Sequence, residues 1–471
     1  MISGDKIPVR GQEILNQQRK LRALKIKLIS PAMSLRPMDS EFKRRMSPSL
    51  SLLIIATLTP LHHHVYIEDE NLSPLDLTDT PDLVGITVNV DTSYRSFEIA
   101  DNYRARGIKV IFGGIHASAN PELMHGHCDS VCIGEAEEIW TIVLDDLMND
   151  NLKSEYFNHG STDLKNVPVP KWDLISKKNY LYTNVLVTSR GCPHRCEFCY
   201  NSCDYINNNY RSRPIKNILD EINCMDAKQV MFLDDNLIGN VPGTVELVDS
   251  IKCLNLIWHA AVSANLVKYP ELIKSMSEAG CRSLFIGFES INTNSIKSVN
   301  KTQNKISEYE SLIKQLHENN IMVNASLVFG FDHDTKDIFP ETLDWLISNK
   351  VETMTAHILT PYPGTKIYKQ LLQENRITDH NLRNYNTSNV VFQPKNMSAD
   401  ELRDGYLNMY RNFYSFRNIF LRKPDNKKLQ APYFIFNFGY RKFGKLTSHL
   451  GRLGLMNFIG RFGSKLAYGI E

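Results

Sequence analysis

The chain has 471 residues, of which 42% are hydrophobic and 23% are charged, and its formal net charge is +2 at pH 7. These values are those of an ordinary globular protein with two or three domains. The longest apolar stretch, residues 49–61, is too short to span a bilayer, so we interpret it as a buried segment. The N-terminal sequence MISGDKIPVRG lacks the apolar core of a signal peptide, which predicts a cytoplasmic protein.

The first predicted domain covers residues 25–150. Short apolar runs alternate there with amphipathic helical stretches, and five of the runs are strand candidates: KIKLIS, HVYIED, DLVGITV, IKVIFGG and DSVCIGE. This alternation predicts an α/β fold with a parallel sheet, and five strands suit a flavodoxin-like, doubly wound domain. Ligands of such domains lie at the carboxyl ends of the strands, which makes the loops after LVGITV and KVIFGG the important ones.

A second βα series follows a proline-containing linker, predicted at residues 151–180. Its domain, residues 181–395, has six strand candidates: NVLVTS, QVMFLDD, IWHAAVS, RSLFIGFE, MVNASLVFG and TMTAHILT. Six units are too few to close an eight-stranded barrel, so we expect a partial (β/α)6 barrel of the TIM type with its chemistry at the carboxyl ends of the strands. Residues 396–471 form a helical region that is basic and aromatic.

Three cysteines, Cys192, Cys196 and Cys199, lie in the stretch SRGCPHRCEFCYN directly after the first barrel strand. Their spacing is short enough for one loop to direct three thiolates at one centre. A zinc site would need a fourth ligand, and a fully ligated iron-sulfur cluster would need a fourth cysteine. A third interpretation leaves one iron of a cluster open to a small molecule. Candidates for the fourth ligand of zinc are Cys203, His194 and His259, and Cys203 would complete the fully ligated cluster.

The surroundings of this loop favour the third interpretation. C-x3-C-x-(aromatic)-C at the end of the first barrel strand, with Phe198 as the aromatic residue, resembles the signature of the radical S-adenosylmethionine (SAM) enzymes. The resemblance implies that Cys192, Cys196 and Cys199 hold a 4Fe-4S cluster. Its open iron would bind the amino and carboxylate groups of SAM, and reductive cleavage would give a 5′-deoxyadenosyl radical.

Other strand ends match this family by position. The resemblance implies that Asp234 and Asp235 of FLDDN contact the SAM amine, although the frequent Gly-Gly-Glu of the family is absent here. Glu289 and Ser290 of GFES resemble the segment that faces the ribose. LVFGFD and TPYPGT resemble the segments that pass the adenosyl group and the adenine.

The first domain carries a second resemblance, in VIFGGIHASANPEL followed by SVCIGEAEEIW. These stretches are similar to the cobalamin-binding domain that precedes the barrel in one large radical SAM subgroup. The D-x-H-x-x-G pattern that supplies a lower cobalt ligand is absent. The alternative is a degenerate domain that only packs on the barrel, in which His116 forms hydrogen bonds within a turn. The resemblance implies a corrin site lined by Thr87, Gly113, Gly114, His116, Ala117, Gly134 and Glu135.

Together the two domains resemble cobalamin-dependent radical SAM enzymes, which implies a C-methyltransferase that uses methylcobalamin and a 5′-deoxyadenosyl radical. The layout is that of hopanoid methylases and of the anaerobic magnesium-protoporphyrin cyclase. The alternative is therefore a cyclisation or oxidation without methyl transfer. A non-enzymatic iron-sulfur or cobalamin sensor is a third possibility. We expect flavodoxin or ferredoxin as the external electron donor.

The tail gives the only indication of a substrate. Residues 411–471 contain twelve Lys or Arg, two acidic residues and thirteen Phe or Tyr. Basic aromatic segments can lie in an anionic membrane interface, which favours peripheral membrane contact and a lipid or isoprenoid substrate over nucleic acid. The alternative is a helical cap on the barrel with a solvated basic face.

The remaining cysteines are interpreted as small core residues or loop thiols. Cys203 is either a loop thiol or a substrate contact. Single cysteines in helical or strand-like patterns usually fill cores. This prediction applies to Cys128, Cys132, Cys224, Cys253 and Cys281.

Overall fold

The structure, a computed structural model, describes residues 22–158, 162–225 and 228–469. The N-terminal sequence that predicted a cytoplasmic protein lies outside these residues. Two parallel sheets of six strands organise the described chain.

The first sheet has the strand order β2-β1-β3-β4-β5-β6, and every pair is parallel. This order is that of a flavodoxin-like doubly wound sheet with an additional edge strand, so the predicted fold class is confirmed. Residues 155–157, inside the expected linker, form that sixth strand. The strands are β1 (Lys25–Ser30), β2 (His64–Asp69), β3 (Leu83–Thr87), β4 (Lys109–Gly113), β5 (Ser130–Ile133) and β6 (Glu155–Phe157).

Helices cover both faces of this sheet, and each face has its own apolar core. Ile26, Leu28 and Ile111 belong to one core, while Ile29, Ile86 and Phe112 belong to the other. Alternate residues of one strand thus enter opposite cores, as the period of two in a strand requires. The helices are α1 (Leu50–Leu58), α2 (Ser93–Arg104), α3 (Ile115–Ala119) and α4 (Trp140–Met148).

The second sheet runs β7-β10-β11-β12-β13-β14 and is again parallel, which gives the expected partial barrel. The first strand of this sheet, β7, is shorter than predicted. Ser189 leaves the sheet and forms, with Arg190, the short strand β8, which pairs antiparallel with β9. The strands are β7 (Val185–Leu186), β8 (Ser189–Arg190), β9 (Arg211–Ser212), β10 (Gln229–Phe232), β11 (Ile257–Ser263), β12 (Cys281–Glu289), β13 (Met322–Phe329) and β14 (Thr353–Ile358).

Helices pack on the outside of this sheet around the largest core of the molecule. In β14, buried Met354, Ala356 and Ile358 enter that core and alternate with partly exposed residues of the concave face. The helices are α5 (Ile215–Met225), α6 (Val241–Ile251), α7 (Pro270–Glu278), α8 (Thr293–Ser298), α9 (Tyr309–Glu318), α10 (Ile338–Ser348) and α11 (Lys366–Gln373).

The C-terminal region is helical, as expected. Its first helix begins with a capping box of Ser398 and Glu401, and the buried Arg422 side chain donates hydrogen bonds to the carbonyls of Val351 and Glu352. Within the described residues, no helix is long and apolar enough to cross a membrane. The helices are α12 (Ala399–Phe413), α13 (Phe416–Leu421), α14 (Lys427–Phe434), α15 (Gly444–Leu450) and α16 (Met456–Tyr468), with π-helical turns at Ile435–Lys442 and Gly451–Leu455.

The structure divides the single cysteines into two groups. Cys128, Cys132 and Cys281 are buried, as predicted. Cys224 and Cys253 are exposed, so their prediction as core residues is wrong. Cys224 lies on the solvent face of amphipathic α5, whose other face carries the buried residues, and Cys253 lies in the turn that follows α6.

Candidate functional site

The cysteine loop is held by backbone hydrogen bonds on both sides. The Cys192 amide donates to the carbonyl of Asn208 at 3.2 Å, and the Glu197 amide donates to that of Val299 at 3.0 Å. Gly191 precedes the loop with φ +79°, and a Cβ atom there would come within 2.3 Å of the Asn209 carbonyl oxygen. A glycine is therefore required at this entry, for both its conformation and its close contact.

The three thiols lie in one electrostatic environment. Burial is the main cause that raises the pKa of Cys199 to about 12, and the thiols of Cys196 and Cys192 contribute to this rise. Among residues 22–158, 162–225 and 228–469, no three Cys, His, Asp or Glu side chains gather closely enough to hold a single metal ion. A 4Fe-4S cluster does not require such a group, because each thiolate binds an iron of its own.

Cys203 lies apart from the other three thiols. It is buried, and its Sγ atom would be 3.3 Å from a Cβ atom at Gly364. Burial raises its pKa to about 11, and the charges that it senses belong to Lys369 and Asp204 rather than to the other cysteines. This position favours a packing role over that of a fourth ligand.

A buried ion pair, which sequence reasoning missed, lies beside the cysteine loop. Glu289 ends β12 with φ +65°, at a break in the register of the sheet, and its carboxylate accepts a hydrogen bond from the ammonium of Lys301. The ammonium also lies 5.8 Å from the centre of the Phe198 ring. Burial raises the pKa of Cys196, and the charge of Lys301 opposes this rise. A non-glycine residue in this backbone region costs about 1–3 kcal/mol and often marks a functional site.

Phe198 itself packs against the barrel core, with its ring centre 6.1 Å from that of Phe331. Ser290 is buried, and its hydroxyl accepts a hydrogen bond from the Asn292 amide at 3.0 Å. Glu289 and Ser290 were both predicted to face the ribose. Glu289 has the buried cation beside it, whereas the Ser290 hydroxyl stabilises the turn that leads to α8.

The two aspartates after β10 have different surroundings. Asp234 is buried and accepts hydrogen bonds from the amide and the hydroxyl of Thr188, at 3.1 and 2.9 Å, and from Ser189. Its carboxylate thus holds the end of β7, which argues against the predicted contact with the SAM amine. Asp235 is exposed, and its charge adds to the effect of burial, which raises the pKa of both Cys192 and Cys199.

Asn236, the next residue, was not singled out from the sequence. Its Oδ1 atom accepts a hydrogen bond from the Ser263 amide at 3.1 Å. Its Nδ2 atom is buried without a hydrogen-bond partner in the described part of the chain. An amide donor without a partner, next to Asp235, is free for a bound acceptor such as a carboxylate.

The glycine pair after β4 forms a tight crossing against β3. Gly114 has φ +97°, and a Cβ atom there would lie 2.9 Å from the hydroxyl oxygen of Thr87 and from the Val88 amide. The Cα hydrogen at that position therefore faces the protein itself. Gly113 pairs with Thr87 in the sheet, and Gly134 ends β5 with φ +88°. The predicted glycines thus lie together at the carboxyl edge of the first sheet.

His116 joins this edge to the cysteine loop. Its Nδ1 atom lies 3.1 Å from the hydroxyl of Tyr200, the residue after Cys199. Its Nε2 atom is buried and has no hydrogen-bond partner among the described residues. Burial lowers the pKa of His116 to about 4, so the ring is neutral at pH 7. Ala117 is fully buried beside it.

Glu135, predicted to line the corrin site, forms an ion pair with the barrel. Its carboxylate binds the Arg211 guanidinium in a bidentate pair at 2.6 and 2.8 Å, and this arginine lowers its pKa against the effect of burial. Glu137, also from the first domain, forms an ion pair with Arg190 of the barrel through one oxygen. These carboxylates clamp the β8–β9 ladder, so the Glu135 carboxylate already has a cationic partner.

Two family models match the chain. That of the radical SAM superfamily matches residues 186–346, the whole region from β7 to α10. A domain of unknown function, DUF4070, matches residues 365–433.

The chain is also similar to proteins that span both domains. The bacteriochlorophyllide d C-12(1)-methyltransferase of Chlorobaculum tepidum is 28% identical over 419 residues, which cover 86% of this chain and 91% of the relative. The anaerobic magnesium-protoporphyrin IX monomethyl ester cyclase of Cereibacter sphaeroides is 24% identical over 393 residues, which cover 75% of this chain and 63% of the relative.

A solved structure extends this comparison to the fold. The radical SAM methyltransferase TsrM from Kitasatospora setae, with cobalamin and a 4Fe-4S cluster bound, superimposes with a TM-score of 0.59 at 16% identity, over 75% of this chain and 78% of TsrM. The superposition covers 75% of the chain, whereas the radical SAM match covers only 161 of its 471 residues. The shared fold therefore extends beyond the barrel. Residues 186–346 therefore form a radical SAM domain, and the chain shares the two-domain fold of TsrM over three quarters of its length.

Proposed function

We propose that this enzyme methylates an unactivated carbon atom of a small hydrophobic substrate, with a 4Fe-4S cluster, SAM and cobalamin as cofactors. The observation that carries the proposal is the meeting of two carboxyl edges. The hydrogen bond between His116 and Tyr200 joins the carboxyl edge of the first sheet to the cysteine loop of the barrel. A radical generator and a methyl donor must act on one substrate atom, and this contact supports neighbouring sites for them.

When bound, the cluster and SAM supply a 5′-deoxyadenosyl radical, and cobalamin supplies the methyl group. An sp3 carbon has no lone pair with which to attack a sulfonium, so both are needed. Cys192, Cys196 and Cys199 would bind the cluster. Asp235 and the Nδ2 donor of Asn236 would orient the amine and the carboxylate of SAM.

Burial and charge support residues for two further contacts, those with the ribose of SAM and with the corrin. Glu289, fixed by Lys301, would face the ribose. Gly113 and Gly114 would present backbone to the corrin, and the buried Nε2 of His116 would be its polar contact. Thr87 and Gly134 would complete the edge, whereas Glu135 stays with Arg211.

A second candidate is a cyclisation or oxidation that keeps the radical but transfers no methyl group. The similarity to the magnesium-protoporphyrin cyclase supports it. Both candidates use the same cluster and SAM residues, and they differ only in the fate of the substrate radical.

We further propose flavodoxin or ferredoxin as the electron donor, a cytoplasmic location and peripheral membrane contact through residues 396–471. The domain division would be 25–158 for the cobalamin domain and 181–395 for the barrel. The extension beyond residue 150 follows from β6, which completes the first sheet.

Anaerobic reconstitution with iron, sulfide and hydroxocobalamin tests the proposal. We expect cluster iron and cobalt to bind, and we expect 5′-deoxyadenosine and S-adenosylhomocysteine to form after reduction with dithionite. Iron and deoxyadenosine without cobalt would overturn the methyl-transfer proposal and favour the second candidate. Cys196→Ala should lose cluster iron and both nucleosides.

The control for this substitution is Cys253→Ala, because Cys253 is exposed and lies outside the barrel edge. We expect it to bind iron like the unchanged protein. Equal iron content in Cys196→Ala and Cys253→Ala would contradict the assignment of the cluster ligands.

A further inference from the structure

The last helix, α16, packs on the barrel with its small residues. A Cβ atom at Gly460 would lie 2.9 Å from the Leu181 carbonyl oxygen, and the Ser464 hydroxyl donates a hydrogen bond to the side chain of Gln229. Tyr468 is partly buried, with its ring centre 6.1 Å from that of His259. The inner face of this helix is therefore formed largely of small and polar residues.

The outer face of the same helix is apolar and basic. Its exposed residues recur at positions i, i+3, i+4, i+7 and i+8, the spacing of one helical face. Phe458 is 65% exposed, Phe462 is 54% exposed and Leu466 is 55% exposed. An ordinary surface helix turns its large apolar residues toward the core, whereas this helix turns them toward solvent. The exposed positions are Phe458, Arg461, Phe462, Lys465 and Leu466.

The segment before this helix continues the exposed apolar surface. Eight large hydrophobic side chains between residues 443 and 466 are exposed, out of twenty in the described chain. Leu446 and Leu453 are the most exposed of those that precede α16, at 62% and 65%. A concentration of this kind marks an interaction surface rather than scattered exposure. The eight residues, here called the C-terminal apolar face, are Phe443, Leu446, Leu450, Leu453, Leu455, Phe458, Phe462 and Leu466.

Cations surround this face, and acidic residues are rare near it. Lys442, Lys445, Arg452 and Arg461 are exposed, and no Asp or Glu occurs between residues 426 and 470. Glu41, from the first domain, is one acidic residue that reaches the segment, at 3.6 Å from the Arg452 guanidinium. The surface thus combines exposed apolar side chains with a net positive charge.

We infer that the C-terminal apolar face binds the surface of an anionic lipid bilayer. Phe and Leu side chains would enter the boundary between headgroups and acyl chains, while the flanking Lys and Arg contact lipid phosphates. The charge complementarity selects this occupant, because a second copy of the chain would bring the same positive charge against itself. The inference specifies the membrane contact of the proposed function, but vesicle binding can be measured independently of the reaction.

Vesicle co-sedimentation of the full chain tests the inference. We expect binding to vesicles of phosphatidylcholine with phosphatidylglycerol, weaker binding to phosphatidylcholine alone, and loss of binding as salt rises. Phe458→Ser with Phe462→Ser should weaken binding at least tenfold. Lys445→Gln and Arg461→Gln should each weaken it about fivefold, the effect of about 1 kcal/mol for one cation at an anionic surface.

Matched controls come from other exposed positions. Leu61 is 92% exposed on the first domain, and Lys314 is exposed on α9, so Leu61→Ser and Lys314→Gln should bind vesicles like the unchanged protein. All variants change exposed side chains, and circular dichroism checks that they fold.

Two results would overturn the inference. One is the absence of binding to phosphatidylglycerol vesicles at low salt, and the other is equal binding by the Phe458 and Phe462 double variant. Concentration-dependent dimers that the double variant loses, without vesicle binding, would instead identify a second copy as the occupant. Formation of 5′-deoxyadenosine in detergent-free solution, measured in parallel, separates a failure of this inference from a failure of the proposed reaction.

Discussion

Lys301 is a single residue on which several features of the site depend. It pairs with Glu289 inside the protein, where both side chains are less than 10% exposed, and it lies over the Phe198 ring. Removal of one partner from a buried ion pair leaves an uncompensated charge, which typically costs about 3–5 kcal/mol. We therefore expect Lys301→Met to lower the free energy of unfolding by about 3 kcal/mol, measured by urea denaturation.

The exposed pair of Lys305 with Glu308, at 3.4 Å, provides the comparison. Lys305→Gln should change the free energy of unfolding by less than about 1 kcal/mol, because water screens this pair. The double variant Glu289→Gln with Lys301→Met should recover part of the loss. If Lys301→Met were as mild as Lys305→Gln, the buried pair would not stabilise the site.

Asp334 is a buried carboxyl group whose protonation affects stability. Burial raises its pKa to about 6, against hydrogen bonds from Ser295 and from the amides of Gly330 and Phe331. A folded-state pKa above the unfolded value means that the folded protein binds the proton more tightly. Its contribution to stability is therefore full below about pH 4 and is lost as the pH rises through 6.

Asp334→Asn removes this titration while keeping an acceptor for the two amides. The unfolding free energy of the unchanged protein, minus that of the variant, should fall by about 2 kcal/mol between pH 4 and pH 7. Asp332 should show the opposite dependence of stability on pH, because Arg376 lowers the pKa of this carboxyl group against the effect of burial. The corresponding difference for Asp332→Asn should rise with pH. A flat difference for Asp334→Asn would contradict the raised pKa.

At the scale of an element, the cysteine loop depends on how it leaves β8. At Gly191, φ is positive and an added Cβ atom would meet a backbone carbonyl at 2.3 Å, so Gly191→Ala must displace the loop. We expect this variant to lose most of its cluster iron after reconstitution, measured by iron analysis. The reason is that three thiolates must reach one cluster from a single short loop.

Gly126 is the control for Gly191, because it has a similar backbone conformation with positive φ but no close contact. Its φ is +91°, and no heavy atom lies within 4 Å of an added Cβ atom, so Gly126→Ala should cost about 1 kcal/mol of stability and leave the iron content unchanged. Full iron loading of Gly191→Ala would show that the loop adapts and would contradict this prediction.

At the scale of the whole molecule, two carboxylates of the first domain hold the barrel. Glu135 binds Arg211, and Glu137 binds Arg190, on the ladder that precedes and follows the cysteine loop. Arg190→Gln with Arg211→Gln should loosen this contact. We expect faster amide hydrogen exchange in the cysteine loop, with unchanged protection in β3 and β4.

The matched control is Arg376→Gln, which removes a similar pair with Asp332 within the barrel. Exchange in the cysteine loop should then stay as in the unchanged protein. Equal acceleration by both variants would show that the loop responds to general destabilisation rather than to loss of the clamp.

The sequence by itself determined the features that depend on local period and spacing. Strands β1, β2 and β11 lie at the predicted residues, because apolar patterning and flanking turns are local signals. The three cysteines are close in the chain, so one loop must bring them together. The flavodoxin-like domain and the partial barrel followed from the alternation of strands and helices.

Only the tertiary structure decided which polar groups are already paired. Asp234 and Glu135 matched their motifs, but residues distant in the chain, Thr188 and Arg211, bind their carboxylates. Lys301 has no motif of its own, and its role depends on the fold that brings it to Glu289. The outward direction of Phe458 and Phe462 was equally hidden, because a helical period defines a face but not the surface that it meets.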